Sequence, residues 1–197
     1  MDDVNDVAAA LIEEHGPMDP VKLQKLLYYT QLTDLASRDE PLFEAEIQAW
    51  RHGPVVREIY DGHARSSDKM DNWAGGNSAR LSPVGWDVVR RVVDIYGSYS
   101  GWDLADMSHA ESPWLEARPG LKDGQSSSAR ISIEAMRRYA RWTKRTAEEA
   151  VVDAVANQRL EGGDLAIDDP DLLDVASGRR QADAVIHDIL SKYPRCA

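Results

Sequence analysis

The sequence predicts a mainly α fold with a small β element (α+β), arranged as a helical N-terminal domain (residues 1–142) and a C-terminal three-helix appendage (residues 143–197). Two observations lead to this prediction. Apolar residues recur at helical spacing between start and stop signals along most of the chain. Strict alternation of apolar and polar residues occurs over residues 43–49, as it does in a half-buried strand.

Proline directly after a capping residue marks the predicted helix starts. This pattern occurs at Asp19-Pro20, Ser82-Pro83 and Ser112-Pro113, and Ser132 is expected to open a further helix. His15-Gly16-Pro17 ends the first helix. In the helix after Asp19 the predicted buried stripe is Leu23, Leu26 and Leu27, with Lys22 and Lys25 off it.

The β element is predicted around Trp50. Phe43, Ala45, Ile47 and Ala49 alternate with polar residues, and the turn at His52-Gly53-Pro54 ends this strand. A short helix is expected to carry Val55, Val56, Ile59 and Tyr60. Residues 79–81 are expected to form a second short strand. Trp50 is expected in the core, and Pro54 is expected to fix φ at a helix start.

Composition and charge exclude several classes of protein. The chain has 34 acidic and 23 basic side chains, and its net charge of −11 repels the phosphates of nucleic acids. The single cysteine, Cys196, allows neither a disulfide framework nor a thiolate metal site. The acidic start, Met1-Asp2-Asp3, differs from a signal peptide, and no apolar run is long enough to span a membrane. We therefore expect a cytoplasmic protein.

No catalytic motif or phosphate-binding loop is found, so we predict a protein that is not an enzyme and has no cofactor and no metal site. His52 and His109 could titrate or bind a metal, but they lack a recognisable ligand spacing, and a hydrogen-bonding role is favoured. A dense basic run is interpreted as a solvated helix face in preference to a phosphate-binding surface. Its members are Arg137, Arg138, Arg141, Lys144 and Arg145.

The last quarter of the chain has its own pattern. Thr146-x-x-Glu149 predicts a capping box and therefore a new helix start. Gly162-Gly163 ends that helix, and two shorter helices follow. From Thr146 onward there are 11 acidic and 5 basic residues, so this quarter carries more than half of the net charge. This composition is typical of a partner-binding appendage.

Short motifs in residues 1–142 resemble the Panacea (SocA-like) domain. They are Lys22 to Gln31, Pro41-Leu42-Phe43, Ala49 to Val56, and Ser108-His109-x-Glu111-Ser112-Pro113-Trp114. The resemblance implies a mostly helical domain with a small β element, found in antitoxins that neutralise many unrelated toxins, with toxin specificity often in a terminal extension. The motif positions are Leu23, Lys25, Leu26, Tyr28, Trp50, His52, Gly53, Pro54, His109, Pro113 and Trp114.

Residues 150–193 resemble the small antitoxins of the VbhA type, which inhibit Fic-domain adenylyltransferase toxins. Their inhibitory signature is Ser or Thr, three residues, Glu, then Gly or Asn. Here it reads Asn157-Gln158-Arg159-Leu160-Glu161-Gly162, with Asn157 as a departure whose amide still donates and accepts hydrogen bonds. The resemblance implies inhibition by Asn157, Glu161 and Gly162. Candidate toxin-binding residues are Val152, Val155, Leu160, Leu172, Leu173, Ile186, Ile189 and Tyr193.

The resemblance also implies a mechanism for Glu161. Residues four apart lie on one helix face, so Asn157 and Glu161 can enter the same cleft. Glu161 would occupy the toxin arginine that otherwise orients the γ-phosphate of ATP, because guanidinium–carboxylate pairs are short and directional. In the alternative interpretation, Glu161-Gly162 merely ends a helix.

The sequence therefore predicts an antitoxin whose partner is a cognate toxin, with a Fic-domain protein favoured. Two alternatives stay open. One is a proteolytic adaptor that delivers a bound toxin to a protease, as described for one member of the Panacea family. The other is an autorepressor of its own operon, for which the basic run is the supporting feature and which the acidic net charge disfavours.

Overall fold

The computed structural model describes residues 1–63, 69–122 and 124–160, without the side chains of residues 63 and 147–160. These residues form mostly helices and one two-stranded antiparallel sheet, which confirms the predicted mainly α fold with a small β element. The helices are α1 (Val4–His15), α2 (Pro20–Arg38), α3 (Arg57–His63), α4 (Pro83–Tyr96), α5 (Gly101–His109), α6 (Ser112–Glu116) and α7 (Ile133–Leu160). The strands are β1 (Ile47–Trp50) and β2 (Gly53–Val56).

Tertiary contacts divide the chain into two units, Met1–Tyr139 and Ala140–Ala197. The packing described below is that of the first unit. Of the second unit, the described part is the segment of α7 from Ala140 to Leu160. Within the described ranges, no helix is both long enough and apolar enough to cross a bilayer. The predicted domain boundary after residue 142 stays a prediction.

Most of the predicted helix starts are confirmed by side-chain caps. The carboxylate of Asp19 accepts a hydrogen bond from the Lys22 amide at 2.9 Å, and the hydroxyl of Ser82 accepts one from the Gly85 amide at 3.0 Å. Gly16 ends α1 with a φ of 86°, a conformation that favours glycine. At α6 the start lies one residue earlier than predicted, because Glu111 is the N-cap and Ser112 is already helical.

Helix α2 is buried on all sides, and the prediction that Lys22 and Lys25 lie off the buried stripe is wrong. Every residue from Lys22 to Leu35 is buried. The ammonium of Lys22 donates to the Gly97 carbonyl at 2.6 Å, and that of Lys25 donates to the Pro54 carbonyl at 2.9 Å. Polar side chains can enter this core because backbone groups of neighbouring segments satisfy them.

The sheet is a hairpin around Arg51 and His52, and it differs from the predicted β element. Ile47 pairs with Val56, and Trp50 pairs with Gly53. Val55 and Val56 therefore lie in β2, and the short helix begins at Arg57. The predicted strand at residues 79–81 is wrong, because Ser78–Arg80 form a 3₁₀ turn.

The predicted helix start at Thr146 is also wrong. Helix α7 is continuous from Ile133 to Leu160. The Thr146 hydroxyl donates to the carbonyl of Trp142, four residues earlier, at 2.9 Å. Threonine makes this bond inside helices as an alternative to capping. The chain therefore does not turn where the capping-box pattern suggested.

Candidate functional site

Lys25 is the most unusual residue of the motif positions. Its side chain is 1% exposed, and its ammonium donates to the Pro54 carbonyl at 2.9 Å. Burial lowers the pKa of Lys25 from 10.5 to about 7. Lys25 loses its hydration and has no carboxylate partner in the part of the chain that the structure describes, so its neutral form becomes accessible near neutral pH.

Gly53 is required by its neighbours as well as by its conformation. Its φ is 90°, a backbone conformation that residues other than glycine rarely adopt. A Cβ at this position would lie 2.7 Å from the Ser108 hydroxyl and 2.8 Å from the Lys25 Nζ. Since real Cβ contacts are longer, α2, β2 and α5 meet at a point where only a hydrogen atom fits.

Glu111 connects α2 to the start of α6. It is 6% exposed and accepts hydrogen bonds from the hydroxyls of Tyr28 at 2.6 Å and Tyr29 at 3.0 Å. Burial and the negative charge of Glu111 raise the pKa of both tyrosines well above 10. The tyrosines therefore stay protonated and keep donating to the carboxylate.

Trp114 and Arg118 fasten the hairpin to the helices that follow it. The Trp114 indole N–H donates to the Trp50 carbonyl at 2.9 Å, and the Arg118 guanidinium donates to the Ala49 carbonyl at 2.8 Å. The guanidinium also lies 4.5 Å from the Trp114 ring centroid, at cation–π distance. Both contacts reach main-chain oxygens of β1, so they fix the position of the backbone.

The two motif histidines differ in their surroundings. His52 is exposed in the hairpin loop, and its ring meets the ring of Trp102 edge-on, with centroids 5.3 Å apart. The ring of His109 lies 4.3 Å from that of Trp114. The His109 Nε2 is buried and has no hydrogen-bond partner in the described part of the chain. The sequence-based prediction that His109 acts as a hydrogen-bonding partner is therefore not confirmed at Nε2.

Trp50 is half-buried, so its predicted place in the core is wrong. Its ring meets that of Tyr60 edge-on at 4.5 Å, and the Arg57 guanidinium lies 5.9 Å from it. Its indole N–H donates to Gln48 at 2.7 Å. Since β1 alternates between buried and half-buried residues, Trp50 lies on the outward face with Gln48.

The motif positions come together on α2, the hairpin, α5 and α6. Leu23, Leu26, Tyr28 and Pro113 are buried with Lys25, Gly53, Pro54 and Trp114, whereas His52 and part of His109 and Trp50 reach the surface. A groove of about 370 Å³ lies elsewhere, between residues 41–47 and 130–136. None of these eleven motif positions lines it, although Gln31, Pro41 and Phe43 of the short motifs do. In the described residues, no group of histidine, cysteine and carboxylate side chains could hold a metal.

Sequence reasoning missed the roles of Tyr29, Ser108, Glu111 and Arg118. Ser108 and Glu111 stood inside a recognised motif, but a buried tyrosine–carboxylate network depends on contacts 82 to 83 residues apart in the chain. Arg118 gave no signal, because nothing in its local sequence distinguishes a buried arginine from a surface one.

The toxin-binding candidates lie at the far end of the chain. Val152, Val155, Asn157 and Leu160 fall within α7, of which only the backbone is described there. The other candidates lie outside the described residues: Glu161, Gly162, Leu172, Leu173, Ile186, Ile189 and Tyr193.

The basic run is partly neutralised by ion pairs within the first unit. Arg137 lies 2.5 Å from Glu134 and 3.4 Å from Asp39, and Arg138 lies 2.6 Å from Glu116. These pairs favour the solvated-face interpretation over phosphate binding.

Comparison with known families gives a match to an antitoxin domain. Residues 23–115, a little under half of the chain, match the family model described as "Antitoxin SocA-like, Panacea domain". No curated protein matches the chain. No solved structure matches it either. The match includes most of α2, the hairpin, α5 and most of α6, which hold the eleven motif positions described above. This segment is therefore similar to the SocA-like Panacea domain, which supports an antitoxin role in a toxin–antitoxin system.

Proposed function

We propose that this chain is an antitoxin that binds a Fic-domain adenylyltransferase toxin and blocks its ATP site with Glu161. The match of residues 23–115 to an antitoxin domain carries the general part of the proposal. The toxin class and the inhibitory residue rest on the sequence pattern from Asn157 to Gly162.

The first unit acts as a scaffold in this proposal. Its motif residues are mainly buried, and two of them, Lys25 and Trp114, bind the backbone of the hairpin together with Arg118. Side chains used in this way hold a surface in place and do not themselves form a reaction centre. An inhibitory binding protein needs such a rigid support, because ordering the surface in advance lowers the entropy cost of binding.

The chemistry of inhibition is assigned to Glu161. A carboxylate competes with the γ-phosphate of ATP for an arginine, because both anions accept two parallel hydrogen bonds from the guanidinium. One ion pair cannot hold two proteins together. Affinity is therefore assigned to the apolar candidates around it, such as Val152 and Val155, since apolar anchors dominate the binding energy of interfaces.

The experiment separates binding from inhibition. The toxin to be tested is a Fic-domain protein, sought in the open reading frame next to the gene of this chain, and it is co-expressed and purified with the chain. We expect the Glu161→Gly complex to co-purify and to regain transfer of labelled AMP from ATP. Glu161→Gln keeps the shape but loses the charge, so it should also regain transfer. Glu149→Gln, which removes a carboxylate from α7 outside the signature, is the matched control and should stay inhibited.

Two results would contradict the proposal. If the Glu161→Gly complex stayed fully inhibited, obstruction by the whole segment would replace competition for the arginine. If no complex formed with the wild-type chain, the Fic-domain partner itself would be wrong. The antitoxin role would then be tested by co-expression with the other neighbouring genes.

A further inference from the structure

The groove between residues 41–47 and 130–136 contains a gap in the hydrogen bonding of an extended chain segment. Residues 43–47 alternate between more buried and exposed positions, as an extended chain does. On one side this segment continues the hairpin, because the Arg57 amide donates to the Glu46 carbonyl at 3.1 Å. We call the opposite side the groove edge. It carries the backbone N–H and C=O groups of three alternate residues, Phe43, Ala45 and Ile47.

Neighbouring groups occupy the first and the third of these positions. The Gln31 side-chain amide donates to the Phe43 carbonyl at 3.1 Å and accepts from the Phe43 amide at 3.3 Å. These are the two bonds that a paired residue of a neighbouring strand would make. At the third position the Ile131 amide donates to the Ile47 carbonyl at 2.8 Å. Beyond Ile131 the chain leaves the edge, because Ser132 caps the start of α7.

Ala45, at the middle position, is open. Within the described residues its backbone N–H and C=O form no hydrogen bond. Ala45 is half-buried and lines the groove, so these groups are partly removed from water without a partner of their own. An extended peptide presents an N–H and a C=O at the spacing that such a position needs, and the addition of a strand to a free edge is a common mode of peptide recognition.

The inner part of the groove is apolar. Phe43, Ile47, Ile131 and Met136 line it and are themselves buried. A residue paired with Ala45 would project its side chain to the same face as Ala45, since paired residues of two strands share a face. An apolar side chain is therefore favoured at the residue that pairs with Ala45.

Two carboxylates flank the open position. Glu44 and Glu46 are exposed, and within the described residues neither makes an ion pair. The residues on either side of the one that pairs with Ala45 would lie opposite them, and opposite charges at such positions stabilise a strand pair. Arg130, a cation that also lines the groove, lies opposite Gln48, outside these two positions. Basic side chains are therefore favoured opposite Glu44 and Glu46, and the net charge of −11 attracts a basic segment at longer range.

The same charges disfavour a second copy of this chain as the occupant. If two copies paired antiparallel through Ala45, Glu44 of each would lie opposite Glu46 of the other. Like charges directly opposite each other destabilise a strand pair, and charged residues on an exposed edge oppose self-pairing. A basic segment converts this repulsion into attraction.

We propose that the groove edge binds an extended basic segment of a partner protein by strand addition. One apolar residue of the segment pairs with the backbone of Ala45, and basic residues on either side of it lie opposite Glu44 and Glu46. The inference goes beyond the proposed function, because it gives the first unit a binding site that involves none of residues 157–162.

The test uses the full chain and a synthetic peptide, Thr-Lys-Val-Lys-Thr, with an acetylated and an amidated end. We expect the peptide to shift the NMR signal of the Ala45 amide until the site is saturated. The same peptide with an N-methyl group on its valine should bind about five-fold or more weakly, because it lacks one hydrogen bond to Ala45. The peptide Thr-Glu-Val-Glu-Thr should bind more weakly still, because its charges repel Glu44 and Glu46.

Charge variants of the chain test the same contacts from the other side. Glu44→Gln and Glu46→Gln should each bind the lysine peptide about two-fold or more weakly, and Arg130→Gln should bind it more tightly than the wild type does. Asp94→Asn removes one carboxylate from the exposed face of α4, outside the groove, and is the matched control that should bind like the wild type.

Ala45→Pro tests the backbone bond directly. It removes the N–H that would bond to the peptide, and within the described residues it breaks no hydrogen bond of the chain. The variant should keep the melting temperature of the wild type and lose peptide binding. Thermal melting of every variant shows that a change in affinity is not a loss of fold. If Ala45→Pro does not fold, the N-methylated peptide still tests the bonding at Ala45.

Several results would overturn the proposal. They are an Ala45 signal that millimolar peptide does not shift, equal binding of the N-methylated peptide, and unchanged binding to Glu44→Gln and Glu46→Gln. Equal weakening in Asp94→Asn would show that the peptide responds only to net charge. A wild-type dimer in sedimentation that Ala45→Pro dissociates would assign the groove edge to a second copy of this chain. No toxin is used, so these outcomes are independent of whether Glu161 inhibits a Fic enzyme.

Discussion

The substitution Lys25→Met tests the physical account of the buried lysine. The pKa of this lysine is about 7 in the folded protein, against an ordinary value of 10.5. Between those two values the unfolded chain binds more protons than the folded one. The free energy of unfolding therefore rises with pH in this window, and below about pH 7 the full cost of the buried charge is present.

The size of the effect follows from the two pKa values. One pKa unit corresponds to about 1.4 kcal/mol, so the whole window corresponds to about 5 kcal/mol. Between about pH 7.5 and about pH 9.5 the gain in stability is about 2.5 kcal/mol. In Lys25→Met this gain is absent, because methionine does not titrate. The variant also leaves the Pro54 carbonyl without its donor, which lowers stability by about 1–3 kcal/mol at every pH.

Urea unfolding of the wild type and the variant, followed by tryptophan fluorescence, measures this difference. The measurements stop below the pH at which tyrosines of the unfolded chain mainly ionise. Above it, Tyr28 and Tyr29 would lower the free energy of unfolding with rising pH, which opposes the effect of Lys25. Lys22, whose pKa burial also lowers, is common to both proteins and cancels in the comparison. Equal pH slopes for the two proteins would refute a buried, readily deprotonated Lys25.

Three further predictions concern the hairpin and the C-terminal segment. In urea unfolding, Gly53→Ala should lower the free energy of unfolding by about 1–3 kcal/mol more than Gly16→Ala does. Both glycines have a positive φ, but an added Cβ at Gly16 has nothing within 4 Å. Equal losses would contradict the close contact of Gly53 with Ser108 and Lys25. Trp114→Ala should lower the free energy of unfolding by about 3–5 kcal/mol. Trp50→Ala should lower it clearly less, because Trp50 is half-buried, and the reverse order would show that Trp50 belongs to the core. Residues 143–197 grafted onto a different Panacea domain should transfer neutralisation in a co-expression growth assay, and neutralisation by residues 1–142 alone would contradict this.

The helix starts could be predicted from the sequence because their cause is local. Asp19 and Ser82 bond to amides three residues away, so residue type and spacing are enough to identify them. The same locality misled at Thr146. Its hydroxyl can cap a new helix or donate to the carbonyl four residues earlier. It makes the second bond because α7 continues through Thr146.

The candidate site was predictable as a set of positions but not as an arrangement. Lys25 was placed outside the core because lysine is rarely buried, and only the distant Pro54 carbonyl makes its burial possible. The second strand was missed for a related reason. Gly53-Pro54 is locally typical of a turn, but pairing with Ile47–Trp50 places both residues, with Val55 and Val56, in a strand.

The contacts that hold the hairpin have a consequence for how such a protein can diversify. Lys25, Trp114 and Arg118 bind main-chain oxygens of the two strands, not their side chains. A carbonyl group is the same whatever residue carries it, so these bonds do not restrict the identity of the outward-facing residues of the hairpin. Substitutions at the exposed Arg51 and His52 can therefore change the charge and shape of this surface, while the interior that positions the hairpin stays unaltered.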